Sequence, residues 1–80
     1  MEKIAVLGIL IENRAENAPE MQEIITKYGN IIFGRMGTPS LNKHNGIISL
    51  HLEADDEKIQ QFAGELKQLS GITVSYCYLN

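Results

Sequence analysis

Hydrophobic positions alternate with polar ones in some segments of the chain and recur at helical spacing in others. Residues 4–11 form an unbroken apolar run, rich in β-branched residues, which predicts a strand buried on both faces at the centre of a sheet. Residues 47–54 alternate, and residues 31–36 and 72–79 are rich in β-branched and aromatic residues, so three further strands are predicted. The apolar side of the alternating strand consists of Ile48, Leu50, Leu52 and Ala54.

Two segments between the predicted strands repeat their apolar residues at helical spacing. The first stripe is Met21, Ile24, Ile25 and Tyr28, and the second is Ile59, Phe62, Ala63, Leu66 and Leu69. Asn17 is the predicted capping residue of the first helix, with Pro19 in its first turn and Gly29 as its left-handed stop. The second helix is predicted to begin in the acidic residues 55–57 and to end before Gly71.

The element order β-α-β-β-α-β predicts an α+β, ferredoxin-like fold, a four-stranded antiparallel sheet with two helices on one face. Residues 37–46, rich in turn-forming residues, are the predicted connection between the second and third strands. The first and third strands are central in this plan, so the open sheet face exposes apolar residues of the first strand. A small domain buries little surface by itself, and we therefore predict a homo-oligomer, either a homodimer or a homotetramer.

Composition and charge narrow the range of functions. The 80 residues, 44% hydrophobic and 21% charged, are typical of one folded domain over residues 1–80. Seven basic against ten acidic residues give a net charge of −3 without a basic cluster, so no direct nucleic-acid binding is expected. Cys77 is the single cysteine, and neither a signal peptide nor a membrane span of about 20 apolar residues is recognisable. A cytoplasmic location without membrane contact is predicted.

Two functions known for the ferredoxin-like fold require residues that this sequence lacks. RNA recognition requires aromatic residues on the third strand, and residues 46–52 contain none. A soft-metal carrier requires a Cys-x-x-Cys pair after the first strand, and residues 11–17 contain no cysteine. His51, Cys77 and His44 are acceptable metal ligands, but their spacing matches no metal motif, so no metal site is predicted and the cofactor stays unknown.

Two polar segments are candidates for ligand binding. Glu12, Asn13 and Arg14 follow the first strand and are compatible with a solvated loop or with an acyl-phosphate hydrolase, in which Arg14 would hold phosphate and Asn13 would position water. Arg35 lies between two glycines, and Gly34 is interpreted as a bulge or a close backbone approach. Arg35 is either an ion-pair partner at the surface or at a subunit contact, or an anchor for a ligand carboxylate or phosphate.

The chain resembles the iron-only hydrogenase system regulator family. The resemblance rests on Gly8-Ile9, on residues 11–14, on residues 28–39 with the Ile-Ile-x-Gly-Arg-Met-Gly-x-Pro segment, and on residues 46–50 and 69–74. It implies a small ACT-like domain, similar to the sensing half of the nickel-responsive repressor, from a family associated with hydrogenase maturation genes. The repressor couples its sensing half to a DNA-binding arm, and direct operator binding is not expected here because the first predicted strand begins at about Lys3. The paired nickel-binding histidines are missing, and residues 12–17 lack the glycine of amino-acid-binding ACT domains.

The function expected from this resemblance is that of a non-enzymatic regulatory domain of the hydrogenase system that senses a small-molecule ligand. Its expected ligand contacts are Glu12, Asn13, Arg14 and Arg35, near subunit boundaries. Two alternatives stay open: an interaction or assembly module that binds a protein partner in hydrogenase maturation, and a small acyl-phosphate hydrolase.

Overall fold

The computed structural model describes residues 2–80 and contains four strands and two α-helices in the order βαββαβ. The elements are β1 (Glu2–Ile11), α1 (Arg14–Lys27), β2 (Ile32–Pro39), β3 (Gly46–Asp55), α2 (Asp56–Lys67) and β4 (Ile72–Tyr78), with a 3-10 turn at Gly29–Ile31. Neither α-helix in this part of the chain is long and apolar enough to cross a membrane.

The strands form one antiparallel sheet in the order β2-β3-β1-β4. β1 pairs with both β3 and β4, so that Leu7 lies between Leu50 and Tyr76. The central position predicted for the first and third strands is therefore confirmed. This order, with both helices packed on one side, is the predicted ferredoxin-like α+β fold.

The hydrophobic core lies between the helices and one face of the sheet. This face carries the buried residues Ala5, Leu7, Ile9 and Ile11 of β1 and Ile48, Leu50, Leu52 and Ala54 of β3. From α2, Phe62 is fully buried, and its ring centroid lies 4.7 Å from that of Tyr28 at the end of α1. The alternation predicted for the third strand is confirmed, because its four alternate apolar residues, from Ile48 to Ala54, face this core.

Within residues 2–80, no helix covers the opposite face of the sheet, since both helices lie on the other side. On β1, Ile4 and Val6 are half-buried and Leu10 is 36% exposed. On β2, Phe33 is 61% and Met36 67% exposed. The prediction that β1 is buried on both faces is therefore wrong for the isolated chain, in which only the helix side of the strand is fully covered.

α1 begins at Arg14, so the prediction that Asn17 caps this helix is wrong. The capping position is occupied by Asn13, whose backbone has a φ of 47°, a left-handed conformation that asparagine tolerates better than most residues. The N–H of Asn13 donates to the side-chain oxygen of Asn45, and the N–H of Arg14 donates to the carbonyl of His44 at 3.2 Å. The loop before β3 therefore accepts hydrogen bonds from the backbone N–H groups at the start of α1. These acceptors are distant in sequence, so a local capping pattern cannot reveal them.

The ends of both helices also differ from the sequence predictions. Pro19 lies inside α1 rather than in its first turn, and Gly29 is not left-handed but opens the 3-10 turn. α2 ends at Lys67, so Leu69 packs on the core from beyond the helix. Among the glycines of residues 2–80, the one with a left-handed φ, of 71°, is Gly71, directly before β4.

β2 is longer than its predicted span and gives the molecule an extended edge strand. It runs to Pro39, which pairs with Gly46 of β3. The connection between these strands is therefore residues 40–45 rather than 37–46. This extension brings the end of β2 beside the first turns of α1.

Candidate functional site

A cavity of about 330 Å³ opens between the first turns of α1 and the adjoining ends of β2 and β3. Its size is within the range of about 300–1,000 Å³ that is usual for small-molecule sites. We call it the arginine cavity, because Arg14 and Arg35 both border it. Its lining consists of Ile11, Arg14, Ala18, Met21, Gln22, Arg35, Gly37, Thr38, Pro39, Gly46, Ile47 and Ile48.

The two arginines of the cavity have no carboxylate partner within residues 2–80. The one salt bridge in this part of the chain joins Lys27 to Glu65, with 2.6 Å between Nζ and Oε1. Arg35 donates from Nη2 to the side-chain oxygen of Gln22 at 2.9 Å, a neutral acceptor. Guanidinium groups bind carboxylates and phosphates through paired hydrogen bonds, so the arginine cavity is suited to an anion.

The cavity occupies space that is free because two of its lining residues are glycines without side chains. Gly37 faces the helix side of the sheet opposite Ile48, and a Cβ built on it would lie 3.6 Å from Ile48 Cγ1, an ordinary contact. A Cβ on Gly46 would lie 3.5 Å from Cδ of Arg14. A larger side chain at position 46 would extend beside Arg14, and one at position 37 would extend beside Ile48, so the cavity depends on both glycines.

Apart from Gln22 and Thr38, the remaining residues of the cavity lining are apolar. Met21 is fully buried, and Ile11 and Ile48 are buried in the same core. The cavity therefore combines guanidinium groups from exposed residues with hydrocarbon from the core, a combination typical of sites for amphiphilic small molecules.

Sequence reasoning identified the two arginines of this cavity and missed Gln22. Arg14, Ala18 and Gln22 are spaced by four residues and lie along one side of α1, and all three border the cavity. This signal was present in the sequence. The four-residue spacing does not indicate a shared helix side when the helix is predicted to begin at Asn17, because Arg14 then lies in a loop.

Glu12 and Asn13, the other two predicted ligand contacts, do not border the arginine cavity. The backbone of Glu12 is paired on both sides: its N–H donates to the carbonyl of Gly71 at 2.8 Å, and its carbonyl accepts from Nδ2 of Asn17 at 2.5 Å. The Asn13 amide donates to Glu16 at 2.9 Å. The structure thus brings Arg14 and Arg35 together and leaves the neighbouring Glu12 and Asn13 in a hydrogen-bonded turn.

His51 and Cys77 share the open sheet face but do not lie side by side. Both are register partners of Val6, so β1 runs between them. Two strand spacings of about 4.8 Å separate their backbones by about 10 Å. Within residues 2–80 there is no group of three metal-ligating side chains.

The bulge of β2 positions the His51 ring. A register shift occurs between Ile32 and Gly34, as expected for the predicted bulge. A Cβ on Gly34 would lie 2.7 Å from His51 Nδ1, so this glycine allows the histidine to approach the backbone. The His51 ring also lies 5.7 Å from the Phe33 ring. A second hollow, of about 340 Å³, lies here and is lined by Val6, Arg35, Met36, Ser49 and His51.

Away from the cavity, the helices are joined by a charged cluster at the end of α1. Glu65 of α2 accepts hydrogen bonds from Lys27 and from the Tyr28 hydroxyl, and these bonds lower the pKa of Glu65. Burial, followed by the bond to Glu65, raises the pKa of Tyr28 to about 12. At the other end of α2, a hydrogen bond to Asp56 raises the pKa of Tyr78 to about 12. The shifts reflect side-chain contacts that join α1 to α2 and α2 to β4.

Two known structures resemble this one over 95% or more of its length. The structure of the uncharacterized protein TM1266 from Thermotoga maritima superposes with a TM-score of 0.94, covers 100% of both chains and is 28% identical in sequence. The C-terminal domain of the MgtC protein from Mycobacterium tuberculosis superposes with a TM-score of 0.71 at 17% identity, covering 95% of this chain and 86% of that domain. The second likeness establishes the fold alone.

A comparison with curated proteins gives no match. The family model described as TM1266-like, iron-only hydrogenase system regulator, matches residues 3–75. This is the family that the sequence resembles through residues 28–39 and its other motifs. The chain belongs to the TM1266-like family of iron-only hydrogenase system regulators.

Proposed function

We propose that this protein is a cytoplasmic regulatory module of the iron-only hydrogenase system that senses a small anionic ligand in the arginine cavity. The observation that supports this most directly is that two arginines, Arg14 and Arg35, border one cavity and have no carboxylate partner in residues 2–80. The regulatory role itself rests on the family. In this proposal the module acts through partners or assembly rather than by binding DNA directly.

The proposed assembly is a homo-oligomer in which the open sheet face covers the same face of a second copy. Ile4 and Val6 form a half-buried apolar strip on the central strand β1, which Leu10 continues. Phe33 and Met36 add exposed apolar surface on β2, across the polar Ser49 and His51 of β3. Burial of such a strip against its symmetric equivalent would remove apolar surface from water without requiring a second kind of surface. A dimer fulfils this geometry, and a tetramer would require a further contact.

The strand β2 provides a route from the ligand to this assembly. Arg35 and Gly37 face the helix side of the sheet, whereas Met36 and Thr38, between and beyond them, face the open side. Arg35 also borders the hollow on the open face. A ligand that draws Arg35 into the cavity would shift an edge strand whose alternate residues belong to the proposed interface.

The proposal is tested in the native host by replacing the chromosomal copy with defined variants. The readouts are hydrogenase activity of the cells and the level of the hydrogenase transcripts. We expect Arg14→Gln with Arg35→Gln to reproduce the phenotype of a deletion. Lys43→Gln, an exposed residue outside the cavity lining, removes one positive charge and should behave as wild type. A deletion that changes neither readout would contradict the regulatory role.

The proposed assembly has its own test in sedimentation equilibrium. Val6→Glu places a carboxylate in the apolar strip and should shift the protein towards the monomer, because burying an unpaired charge is unfavourable. Gln61→Glu adds the same charge on an exposed position of α2 and should leave the oligomer intact. A wild-type protein that stays monomeric at micromolar concentration would refute the homo-oligomer.

An alternative function, binding to another protein in hydrogenase maturation, is favoured by the exposure of Phe33 and Met36 on an edge strand. Aromatic residues and methionine are enriched in protein interfaces. Affinity capture from native extract separates the two functions. A stoichiometric partner that is lost with Phe33→Asp but retained with Arg14→Gln and Arg35→Gln would favour the alternative.

A further inference from the structure

We infer that the arginine cavity selects small organic acids with an apolar body and without an amino group. This inference rests on the proposed ligand-sensing function and names the ligand class. It follows from three properties of the cavity: the positive charges of its lining, its apolar wall, and the nearby backbone N–H groups that are already hydrogen-bonded within the protein.

The charges of the lining favour a carboxylate and disfavour an ammonium group. Arg14 and Arg35 are the charged residues of the lining, and no Asp or Glu borders the cavity. An amino acid would bring its ammonium group beside two positive charges without a counter-charge from the lining. A plain carboxylate avoids this repulsion and keeps the paired hydrogen bonds that a guanidinium offers.

The apolar wall favours an organic anion over an inorganic one. Ile11, Met21 and Ile48 contribute hydrocarbon from the core to the lining. Inorganic phosphate would satisfy the guanidinium groups, but it would leave this wall in contact with water. A hydrocarbon body displaces that water, so affinity should rise with chain length until the cavity of about 330 Å³ is filled.

Two backbone donors beside Arg14 are already hydrogen-bonded within the protein, which leaves the arginine side chains as the main donors for an anion. The N–H of Arg14 donates to His44, and the N–H of Asn13 donates to Asn45. The start of α1 therefore does not offer these two groups to an anion. Removing either guanidinium should consequently have a large effect on binding.

The ligand class is tested by isothermal titration calorimetry of the full-length protein in an amine buffer with chloride. The probes are a series of straight-chain monocarboxylates from propanoate to octanoate, with butanoate compared against 2-aminobutanoate, butanamide and inorganic phosphate. We expect butanoate to bind at least about tenfold more tightly than each of the other three. Butanamide lacks the charge, 2-aminobutanoate adds an ammonium group, and phosphate lacks the hydrocarbon body.

Variants locate the binding in the arginine cavity. Arg14→Gln and Arg35→Gln should each weaken butanoate binding at least about tenfold, whereas Lys43→Gln should bind as wild type. Gly37→Val should abolish binding by filling the cavity, and its strand position with an ordinary Cβ contact should allow it to fold. Thr73→Val, on the opposite edge strand, is its control and should bind normally. Circular dichroism checks the fold of each variant.

Several results would overturn the inference. Absence of binding by every monocarboxylate would refute it, as would 2-aminobutanoate binding as tightly as butanoate. Inorganic phosphate binding most tightly, with loss in both arginine variants, would overturn the organic-acid class while leaving an anion site. Butanoate binding as expected, together with a gene deletion that leaves hydrogenase unaffected, would support the ligand class and refute the proposed function.

Discussion

Arg35 of β2 donates a hydrogen bond to the side-chain oxygen of Gln22 of α1, with 2.9 Å between Nη2 and Oε1. This bond links an edge strand to the first helix at the border of the arginine cavity. A guanidinium has five N–H donors, so a single neutral acceptor leaves most of its capacity for other partners. Gln22 thus positions Arg35 without neutralising it.

Gln22→Glu should weaken ligand binding by replacing this neutral acceptor with a carboxylate. An internal ion pair with Arg35 would compete with the anion, and we expect butanoate affinity to fall about tenfold, the usual effect of a charged hydrogen bond. Calorimetry measures the affinity, and Gln61→Glu on the exposed side of α2 controls for the added charge. Equal affinities of Gln22→Glu and wild type would show that Arg35 does not contact the ligand.

The fold could be predicted because the strong periodic segments report burial directly. The alternation of residues 47–54 identifies the face of β3 that meets the helices, and the unbroken apolar run of β1 marks it as central. Asp55, which accepts from the N–H of Lys58 at 2.7 Å, is a local capping residue of α2, within the acidic segment where the helix was predicted to begin. Each of these signals involves neighbours in sequence.

The cavity could be predicted only in part, because its partners are distant in sequence. Arg14 and Arg35 were recognised from their residue type. Their shared cavity depends on the start of α1 being fixed by His44 and Asn45, and on β2 continuing to Pro39. Neither feature leaves a local pattern.

Glu65→Gln should reduce the loss of stability in acid. Lys27 and Tyr28 lower the pKa of Glu65 below its ordinary value of 4.5, so its charged form stabilises the folded state. This contribution is complete above pH 4.5 and is lost as the pH falls through the lower pKa of the folded state. The difference in free energy of unfolding between pH 7 and pH 3, measured in urea, should therefore be smaller in the variant.

Glu23→Gln is the matched control for this titration, because Glu23 is an exposed carboxylate on α1. Its acid dependence should follow that of wild type. If both variants reduce the loss of stability between pH 7 and pH 3 equally, the effect would come from net charge rather than from the cluster that joins the helices.

Gly64→Ala should stabilise the protein. Gly64 lies inside α2, is exposed, and has no atom within 4 Å of the position that a Cβ would take. Alanine in a helix interior is more favourable than glycine by about 0.5–1 kcal/mol, because the unfolded chain loses less conformational freedom. Urea denaturation at fixed protein concentration measures the gain. A decrease in stability would indicate that this surface of α2 is covered in the assembled protein.

Gly71→Ala should destabilise the protein by about 2–3 kcal/mol through two separable effects. The left-handed backbone, with a φ of 71°, costs a residue with a side chain about 1–2 kcal/mol. A Cβ would also collide with the Asn17 amide, whose hydrogen bond to the Glu12 carbonyl holds α1 against the end of β1. In the Asn17→Ala background the collision is absent, so Gly71→Ala should lower the free energy of unfolding, measured in urea, by the backbone cost alone. Gly29→Ala, in open space without a left-handed φ, should change stability little, and an equal cost in both glycine variants would refute this account.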